Sequence, residues 1–138
     1  MDKALNYLAL ARKGGRAELG EEPVGAAARA VKARLVFVAG DASDHTWRRA
    51  KSFVAGTSQI CIRVPYTKDE LGFAIGRTSL AIGAFTDAAL ALAFVEALPE
   101  PRKYAAEKEA LEELVNRLRQ RQKEAKAHQR NIRTGKKK

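Results

Sequence analysis

Three short apolar segments dominate this sequence, and they alternate with stretches that have the spacing of amphipathic helices. The segments are residues 35–39, 60–64 and 80–85, each bounded by turn-forming residues. Short continuous apolar runs of this kind are typical of strands buried on both faces. With a brief further strand at residues 16–19, the alternation predicts an α/β fold, a three-layer α-β-α sandwich.

Five helical segments separate and flank these strands. The first ends at Gly14, and the second follows Gly20 with an inward stripe of apolar residues that reaches Val31. Pro23 suits the first turn of that second helix. For the later helices we expect N-caps from Ser43 or Asp44, from Thr67 in a capping box with Glu70, and from Thr86 and Asp87.

The chain changes character at Pro99 and Pro101, which end the fifth helix. We therefore predict one domain over residues 1–98 and a basic helical extension over residues 99–138. A sixth helix starts near Ala105, and from Arg117 onward ten basic residues face the single acid Glu124. We expect about the last ten residues to form a disordered tip, since they offer almost no apolar surface to bury.

The net charge of +10, from 26 basic and 16 acidic residues, predicts a polyanionic partner. Residues 1–98 contribute +3 of this charge and residues 99–138 contribute +7. The chain contains one cysteine and two histidines, Cys61, His45 and His128, so it cannot form an intrachain disulfide or a structural zinc site. Acidic residues interrupt the most apolar stretch, residues 80–98, so we expect no membrane association and a cytoplasmic protein.

No catalytic site emerges from the motifs. The glycines at positions 14, 15 and 20 lack the spacing of a phosphate-binding loop, so we expect no nucleotide cofactor. Cys61 lies between two isoleucines in a predicted strand, where an apolar environment suppresses thiolate chemistry. We therefore predict no cofactor, no metal, no small-molecule substrate and no enzymatic activity.

The start of the second helix is the most informative local feature. Backbone N–H groups at a helix N-terminus attract phosphate, and the carboxylates of Glu21 and Glu22 can accept hydrogen bonds from base amino groups. Two acids at this place also simply complement the helix dipole. Six basic residues flank the helix in sequence and predict a positive rim around the carboxylates, or else scattered surface charge: Arg12, Lys13, Arg16, Arg29, Lys32 and Arg34.

Five sequence pieces in residues 4–98 resemble the kink-turn RNA-binding ribosomal proteins, the large-subunit L-seven-Ae and L-thirty-e families, and especially their small bacterial relatives. The pieces are residues 10–15, 20–22, 34–43, 71–76 and 82–87, in that family's order and spacing. The resemblance implies a mixed four-stranded sheet between helices. It also implies RNA binding through the start of the second helix and through the loop before the last strand.

Carried over by position, the resemblance assigns RNA contacts to three places. Gly20, Glu21 and Glu22 match the segment that meets sheared G·A pairs, and Asp41 with Ala42 matches a nearby turn. The loop that holds flipped-out nucleotides is matched by Arg77, Thr78, Ser79, Leu80 and Ala81. We expect Lys13, Arg29 and Lys32 to contact phosphates. The sequence departs from the family at Pro23 and at Ala26, where a lysine is usual.

The sequence therefore predicts an RNA-binding protein that recognises kinked or internally looped RNA, with ribosomal RNA and the ribosome as expected partners in translation. The alternative is a protein-interaction adaptor of the same fold, in which an apolar stripe on the sixth helix pairs with a partner helix. That stripe consists of Leu111, Leu114, Val115 and Leu118.

Overall fold

The computed structural model describes residues 2–133. Helices and strands alternate along the chain as α1 (Lys3–Lys13), β1 (Ala17–Leu19), α2 (Glu21–Arg29), β2 (Leu35–Val38), α3 (Asp44–Val54), β3 (Ile60–Arg63), α4 (Lys68–Ala74), β4 (Ile82–Phe85) and α5 (Ala88–Glu96). A 3₁₀ turn (Pro101–Tyr104) then leads into a long α6 (Ala105–Arg133).

The four strands form one mixed sheet in the order β1-β4-β2-β3. The central strands β2 and β4 are antiparallel, with Leu35 opposite Phe85, whereas β2 and β3 are parallel, with Leu35 opposite Ile60. Every residue of β2 and β4 is buried, as expected for strands covered on both faces. The predicted α-β-α sandwich with a mixed four-stranded sheet is confirmed.

An aromatic cluster joins the sheet to α5. The rings of Phe37, Phe85 and Phe94 lie 4.8–5.6 Å apart between centroids. A Cβ atom at Gly83 would lie 2.4 Å from the Phe37 ring, so only glycine fits opposite that ring. On this face α1 packs against α5, while α2 and α3 pack together on the other face.

The predicted helix caps are present. Ser43, rather than Asp44, caps α3 by accepting a hydrogen bond from the Thr46 N–H. Thr67 and Glu70 form the complete capping box of α4, and Asp87 caps α5. These short polar contacts fix where each helix begins and therefore where the connecting loops lie.

Val31 is not on the inner face of α2, as the helical spacing had predicted. The helix ends at Arg29, and Val31 adopts a left-handed backbone (φ 56°) with 55% of its surface exposed. Its N–H donates to the Ala28 carbonyl and the Lys32 N–H donates to the Ala27 carbonyl, which is the Schellman pattern of a helix end. A valine takes the place that glycine usually has in this motif.

The sixth helix is part of the packed body for its first half. Leu111 is fully buried and belongs to the main core, and Val115 is 5% exposed, because both face α5. The core therefore extends past the expected domain boundary at residue 98. From Arg119 to Arg130 all residues but Ala127 are exposed. The helix continues through Arg133 and includes the first half of the expected tip, whose remaining residues, 134–138, lie outside the described residues.

Candidate nucleic-acid interface

Three loops meet at the end of the sheet where β1, β2 and β3 finish and β4 begins. The Gly20 N–H donates to the Ile82 carbonyl (3.0 Å), and the Ala39 N–H donates to the Ala81 carbonyl (2.9 Å). The Leu80 N–H donates to the Lys68 carbonyl (2.9 Å). These bonds bring residues 20–22, 40–43 and 76–81 onto one surface, which we call the loop end.

At the start of α2, two backbone amides and one carboxylate remain available. Gly20 has φ 98°, which favours glycine, and its N–H is used by the Ile82 carbonyl. Pro23 has no N–H, so the N–H groups of Glu21 and Glu22 are the free donors of the first turn. The Glu22 side chain is exposed and has no hydrogen-bond or ion-pair partner within residues 2–133.

The carboxylate of Glu21 is already paired. Arg49 of α3 donates to it from Nε, and the Arg49 guanidinium lies 5.3 Å from the centroid of the Phe53 ring. Sequence reasoning did not identify Arg49, because its partner lies 28 residues away and no local spacing connects them. Of the two predicted carboxylates, Glu22 is therefore the one free to accept a ligand.

The loop before β4 folds back onto α4. The Arg77 N–H donates to the Gly72 carbonyl (2.8 Å), and a Cβ atom at Gly72 would lie 2.6 Å from the Ser79 Cα. The side chains of Arg77, Thr78 and Ser79 are exposed. Gly72 thus allows this loop to approach the helix, a role that was not assigned to it although it lies in one of the five resembling pieces.

Two predicted contact residues in this loop have other roles. The Leu80 side chain is only 3% exposed and belongs to the core, so it is not available to hold a nucleotide. Ala81 is half-buried, and its carbonyl is bonded to the Ala39 N–H. The exposed part of the predicted loop is therefore residues 77–79, together with Gly76 just before it.

Asp41 connects the turn after β2 to α4. Its Oδ1 atom accepts a hydrogen bond from the Lys68 N–H (2.8 Å), while Ala42 beside it is buried. This bond holds the 40–43 turn against the start of α4. Asp41 is thus at the predicted place, with one carboxylate oxygen engaged in supporting the loop end.

The predicted positive rim does not surround the carboxylates. Lys13 and Lys32 lie at the opposite end of the sheet, where β2 and β3 begin and β4 finishes. There the Arg34 N–H donates to the Phe85 carbonyl, and the Thr86 N–H donates to the Arg16 carbonyl. Chain direction causes the separation, because α1 and α2 each run the length of the sheet and place their basic last turns away from the loop end. We call this opposite end the basic end.

Arg29 is the exception among these residues. It is the last residue of α2, but its guanidinium reaches back along the helix to Gly25, where Nη1 would lie 3.4 Å from an added Cβ. Side chains on a helix lean toward its N-terminus, which explains the direction. Arg29 therefore lies between the two ends.

Cys61 is half-buried on β3. Burial raises the pKa of its thiol to about 11, and the positive charge of Lys51 opposes that rise. Within residues 2–133 no group of three His, Cys, Asp or Glu side chains is arranged to hold a metal ion. None of the helices in the described part of the chain has the length and hydropathy needed to cross a bilayer.

No protein-family model matches this sequence, and no curated protein matches it. Solved structures, in contrast, do match this chain. The chain is similar to a protein of unknown function from Bacillus halodurans C, with 26% identity and a TM-score of 0.61 over 79% of this chain and 99% of that one. It is also similar to a 15.5 kD RNA-binding protein from Giardia lamblia, with 18% identity and a TM-score of 0.59 over 75% of this chain and 85% of that one. The chain shares its fold with both proteins.

Proposed function

We propose that this protein binds structured RNA through the loop end, and that the RNA it prefers is kinked or internally looped. We further propose that it acts in the cytoplasm as a ribosome-associated binding protein, with ribosomal RNA as its target, and that it has no catalytic activity. The net charge of +10 favours a polyanionic partner. The Giardia lamblia protein of the same fold, described as RNA-binding, supports the same class of partner.

One observation carries the proposal. The unpaired Glu22 carboxylate, the free Glu21 and Glu22 amides, and the exposed Arg77, Thr78 and Ser79 side chains share a single surface. Amides at a helix start bind phosphate, and a carboxylate accepts hydrogen bonds from base amino groups. A regular A-form duplex hides base edges in its narrow major groove, whereas bends and internal loops expose them. The chemistry of this surface therefore favours distorted RNA.

The adaptor alternative loses its main support. Its apolar stripe on α6 includes Leu111 and Val115, which are buried against α5 of the same chain. Leu114 and Leu118 are half-buried. A partner helix could not pair with this stripe without displacing α6 from the core.

Two RNAs of equal length and composition, one with an internal loop that bends it and one fully paired, test the proposal. The full chain is expected to bind the bent RNA more tightly at fixed salt. Glu22→Ala should reduce this preference by roughly 1–3 kcal/mol, the range for loss of one base-edge contact. Glu109→Ala, which removes an exposed glutamate from α6, is the matched control and should leave the preference unchanged.

Equal affinity of the unaltered protein for both RNAs would exclude recognition of distorted RNA. Co-sedimentation of the protein with ribosomal subunits from its own source tests the ribosomal part separately. Absence of the protein from every ribosomal fraction at low salt would exclude it.

A further inference from the structure

Most of the positive charge of the described structure lies away from the loop end. Five basic residues mark the basic end: Arg12 and Lys13 in the last turn of α1, Arg16 after it, and Lys32 and Arg34 before β2. Arg16 is paired with Asp87 (2.9 Å) at the start of α5 and remains largely exposed. At and beside the loop end, six acidic residues outnumber the four basic residues Arg48, Arg49, Lys68 and Arg77. The acids are Glu21, Glu22, Asp41, Asp44, Asp69 and Glu70.

The long helix α6 crosses the basic end. It starts beside Tyr104, whose hydroxyl donates to the Arg63 carbonyl at the far end of β3. Its residues Leu118, Arg119 and Gln122 then line a groove with Arg34 and Asp87. The helix therefore runs along the body from the loop end to the basic end, and its exposed second half continues beyond the groove.

Four basic residues form a stripe along that exposed half. Arg119, Lys123, Lys126 and Arg130 are separated by four, three and four residues, which places them on one face of the helix. The stripe is about 16 Å long at a rise of 1.5 Å per residue. Because Arg119 lines the groove with Arg34, the stripe begins at the basic end and extends its positive surface.

The other flank of α6 is different. Arg117 and Arg121 lie two residues before and two residues after Arg119. Because two residues correspond to a rotation of about 200° around the helix axis, both project from the side opposite the stripe. On that flank the groove beside Arg117 contains Glu113. Glu124 follows Arg117 by seven residues and therefore shares its side of the helix. Glu112 precedes Arg119 by seven residues and shares the side of the stripe, but it lies in the packed half of the helix. Within the exposed half, residues 119–130, the stripe side carries four basic residues and no acid, whereas the opposite side carries Arg121 and Glu124.

The chemistry of the stripe favours the backbone of a duplex over unpaired bases. Proteins that hold single strands combine basic grooves with exposed aromatic rings on which bases stack. Of the described aromatic residues, Phe73 is the one with a largely exposed side chain, and it lies on α4, away from the basic end. Rows of Arg and Lys without aromatic residues are suited to phosphates.

We infer that the basic end and the α6 stripe together form a second RNA-binding surface that holds the phosphate backbone of an RNA duplex without reading its sequence. The residues of the basic end are Arg12, Lys13, Arg16, Lys32 and Arg34. That the ligand is RNA rests on the proposed function. The position of the surface rests on the distribution of charged residues. The loop end and the basic end are separated by the length of α1, about 16 Å for eleven residues. The two surfaces therefore hold different segments of RNA.

Affinity for a straight RNA duplex without loops, measured over a series of salt concentrations, tests this inference on the full chain. Arg119→Glu/Lys123→Glu should lower the slope of log affinity against log salt by about 2, since each lost phosphate contact contributes about 0.9. Arg117→Glu/Arg121→Glu is the matched control, with the same charge change on the opposite flank of the same helix. It should keep the slope nearly unchanged, and circular dichroism checks that both variants remain helical.

Equal loss of slope in the two double variants would overturn the inference, because binding would then follow overall charge. Glu22→Ala should leave straight-duplex binding intact, and a loss as large as that of the stripe variant would mean that one surface binds both RNAs. A third measurement compares the binding of the unaltered protein and of the stripe variant to vesicles of anionic phospholipid. Loss of vesicle binding in the stripe variant with unchanged duplex binding would assign the stripe to a membrane instead. None of these outcomes depends on whether the protein prefers bent RNA.

Discussion

Arg49 joins α3 to the start of α2 by donating from Nε to the carboxylate of Glu21. This contact fixes the roles of two adjacent acids. Glu21 is neutralised by a neighbouring helix, whereas Glu22 projects without a partner among the described residues. The pair also lowers the negative charge that an approaching phosphate would meet at the loop end.

Arg49→Gln should therefore lower the affinity for RNA, while the free energy of unfolding changes less. Both side chains are about half exposed, so the ion pair should contribute less than about 1 kcal/mol to the free energy of unfolding. Affinity for bent RNA should fall because Glu21 then adds an unpaired negative charge to the surface. Denaturant unfolding and RNA titration measure the two effects.

Arg48→Gln is the control for that variant, because Arg48 is exposed on the same helix and its side chain donates a hydrogen bond to the Asp44 carbonyl, with no carboxylate partner among the described residues. Its effect on RNA affinity should be smaller. If the two variants weaken RNA binding to the same extent, the pairing of Glu21 has no role in binding.

Gly72→Ala should disturb the loop before β4. An added Cβ atom would lie 2.6 Å from the Ser79 Cα, a backbone contact that the loop can relieve only by moving away from α4. We expect a stability loss of about 1–3 kcal/mol, as for an overpacked site, and a reduced preference for bent RNA. Gly14→Ala is the matched control. Gly14 follows the C-terminal end of α1, and its added Cβ would make ordinary contacts of 3.5 Å or more. Unchanged RNA preference in a folded Gly72→Ala protein would argue against a role for residues 76–79.

Asp2 and Tyr66 should be coupled in stability. Asp2 Oδ1 caps α1 by accepting from the Leu5 N–H, and Asp2 Oδ2 accepts from the Tyr66 hydroxyl at 2.7 Å. Asp2→Ala should cost about 1–2 kcal/mol because it removes the cap and the partner of a part-buried hydroxyl. Tyr66→Phe should cost about 1 kcal/mol, since it removes both the hydroxyl and its need for a partner.

A double-mutant cycle measured by denaturant unfolding checks this coupling. Asp44→Ala, an exposed acid that caps no helix, should change the free energy of unfolding by less than about 0.5 kcal/mol. Additive effects of Asp2→Ala and Tyr66→Phe would contradict the shared hydrogen bond.

The thiol of Cys61 should react slowly. Its pKa is raised from 9.0 to about 11 by burial, so at pH 8 the thiolate fraction is about 100-fold below that of a free cysteine. Iodoacetamide labelling followed by mass spectrometry should show slow modification of the native protein and ordinary rates after unfolding. Between pH 9 and 11 the unfolded thiol ionises while the folded one stays protonated, so stability should fall as pH rises through this window. Fast labelling of the native protein at pH 8 would show that the thiol is accessible and ionised.

Local patterns predicted the helices, the strands and the α-β-α layers, whereas the mixed four-stranded sheet was what the family resemblance implied. Apolar runs such as residues 35–39 identified the buried strands, and the Thr67 and Glu70 spacing identified the capping box. The prediction failed where tertiary geometry decided the outcome. Val31 continued an apolar stripe, but the helix had already ended in a Schellman motif. Lys13 and Lys32 are close to the predicted site in sequence, but chain direction carries them to the other end of the sheet.

Part of the candidate site was also predictable from the sequence. Glu22 and the 76–79 loop are exposed where the resemblance placed them, whereas Leu80 is required by the core. The roles of Arg49 and Gly72 could not be predicted from sequence, because they come from contacts with Glu21 and Ser79 that exist only after folding. A sequence thus indicates which side chains can bind, and the fold determines which of them remain free.

Two truncations should separate the packed part of α6 from its exposed part. A chain that ends after residue 122 keeps Leu111 and Val115 in the core, and its free energy of unfolding should stay within about 1 kcal/mol of the full chain. A chain that ends after Leu98 loses both residues, each worth roughly 1.5–3 kcal/mol of burial, and should be clearly less stable. Chemical denaturation of the two chains tests whether the domain ends at residue 98, as its sequence predicts, or in the middle of α6.

The chain that ends after residue 122 also separates affinity from specificity. It lacks seven basic residues and one acid, including Lys123, Lys126 and Arg130 of the stripe. The salt dependence of RNA binding should flatten by several units of log affinity per log salt, because fewer counterions are released from the phosphates. The preference for bent over straight RNA should persist, since the loop end is intact. Loss of that preference would show that the exposed half of α6 takes part in recognising the bend, and an unchanged salt slope would show that it does not contact RNA at all.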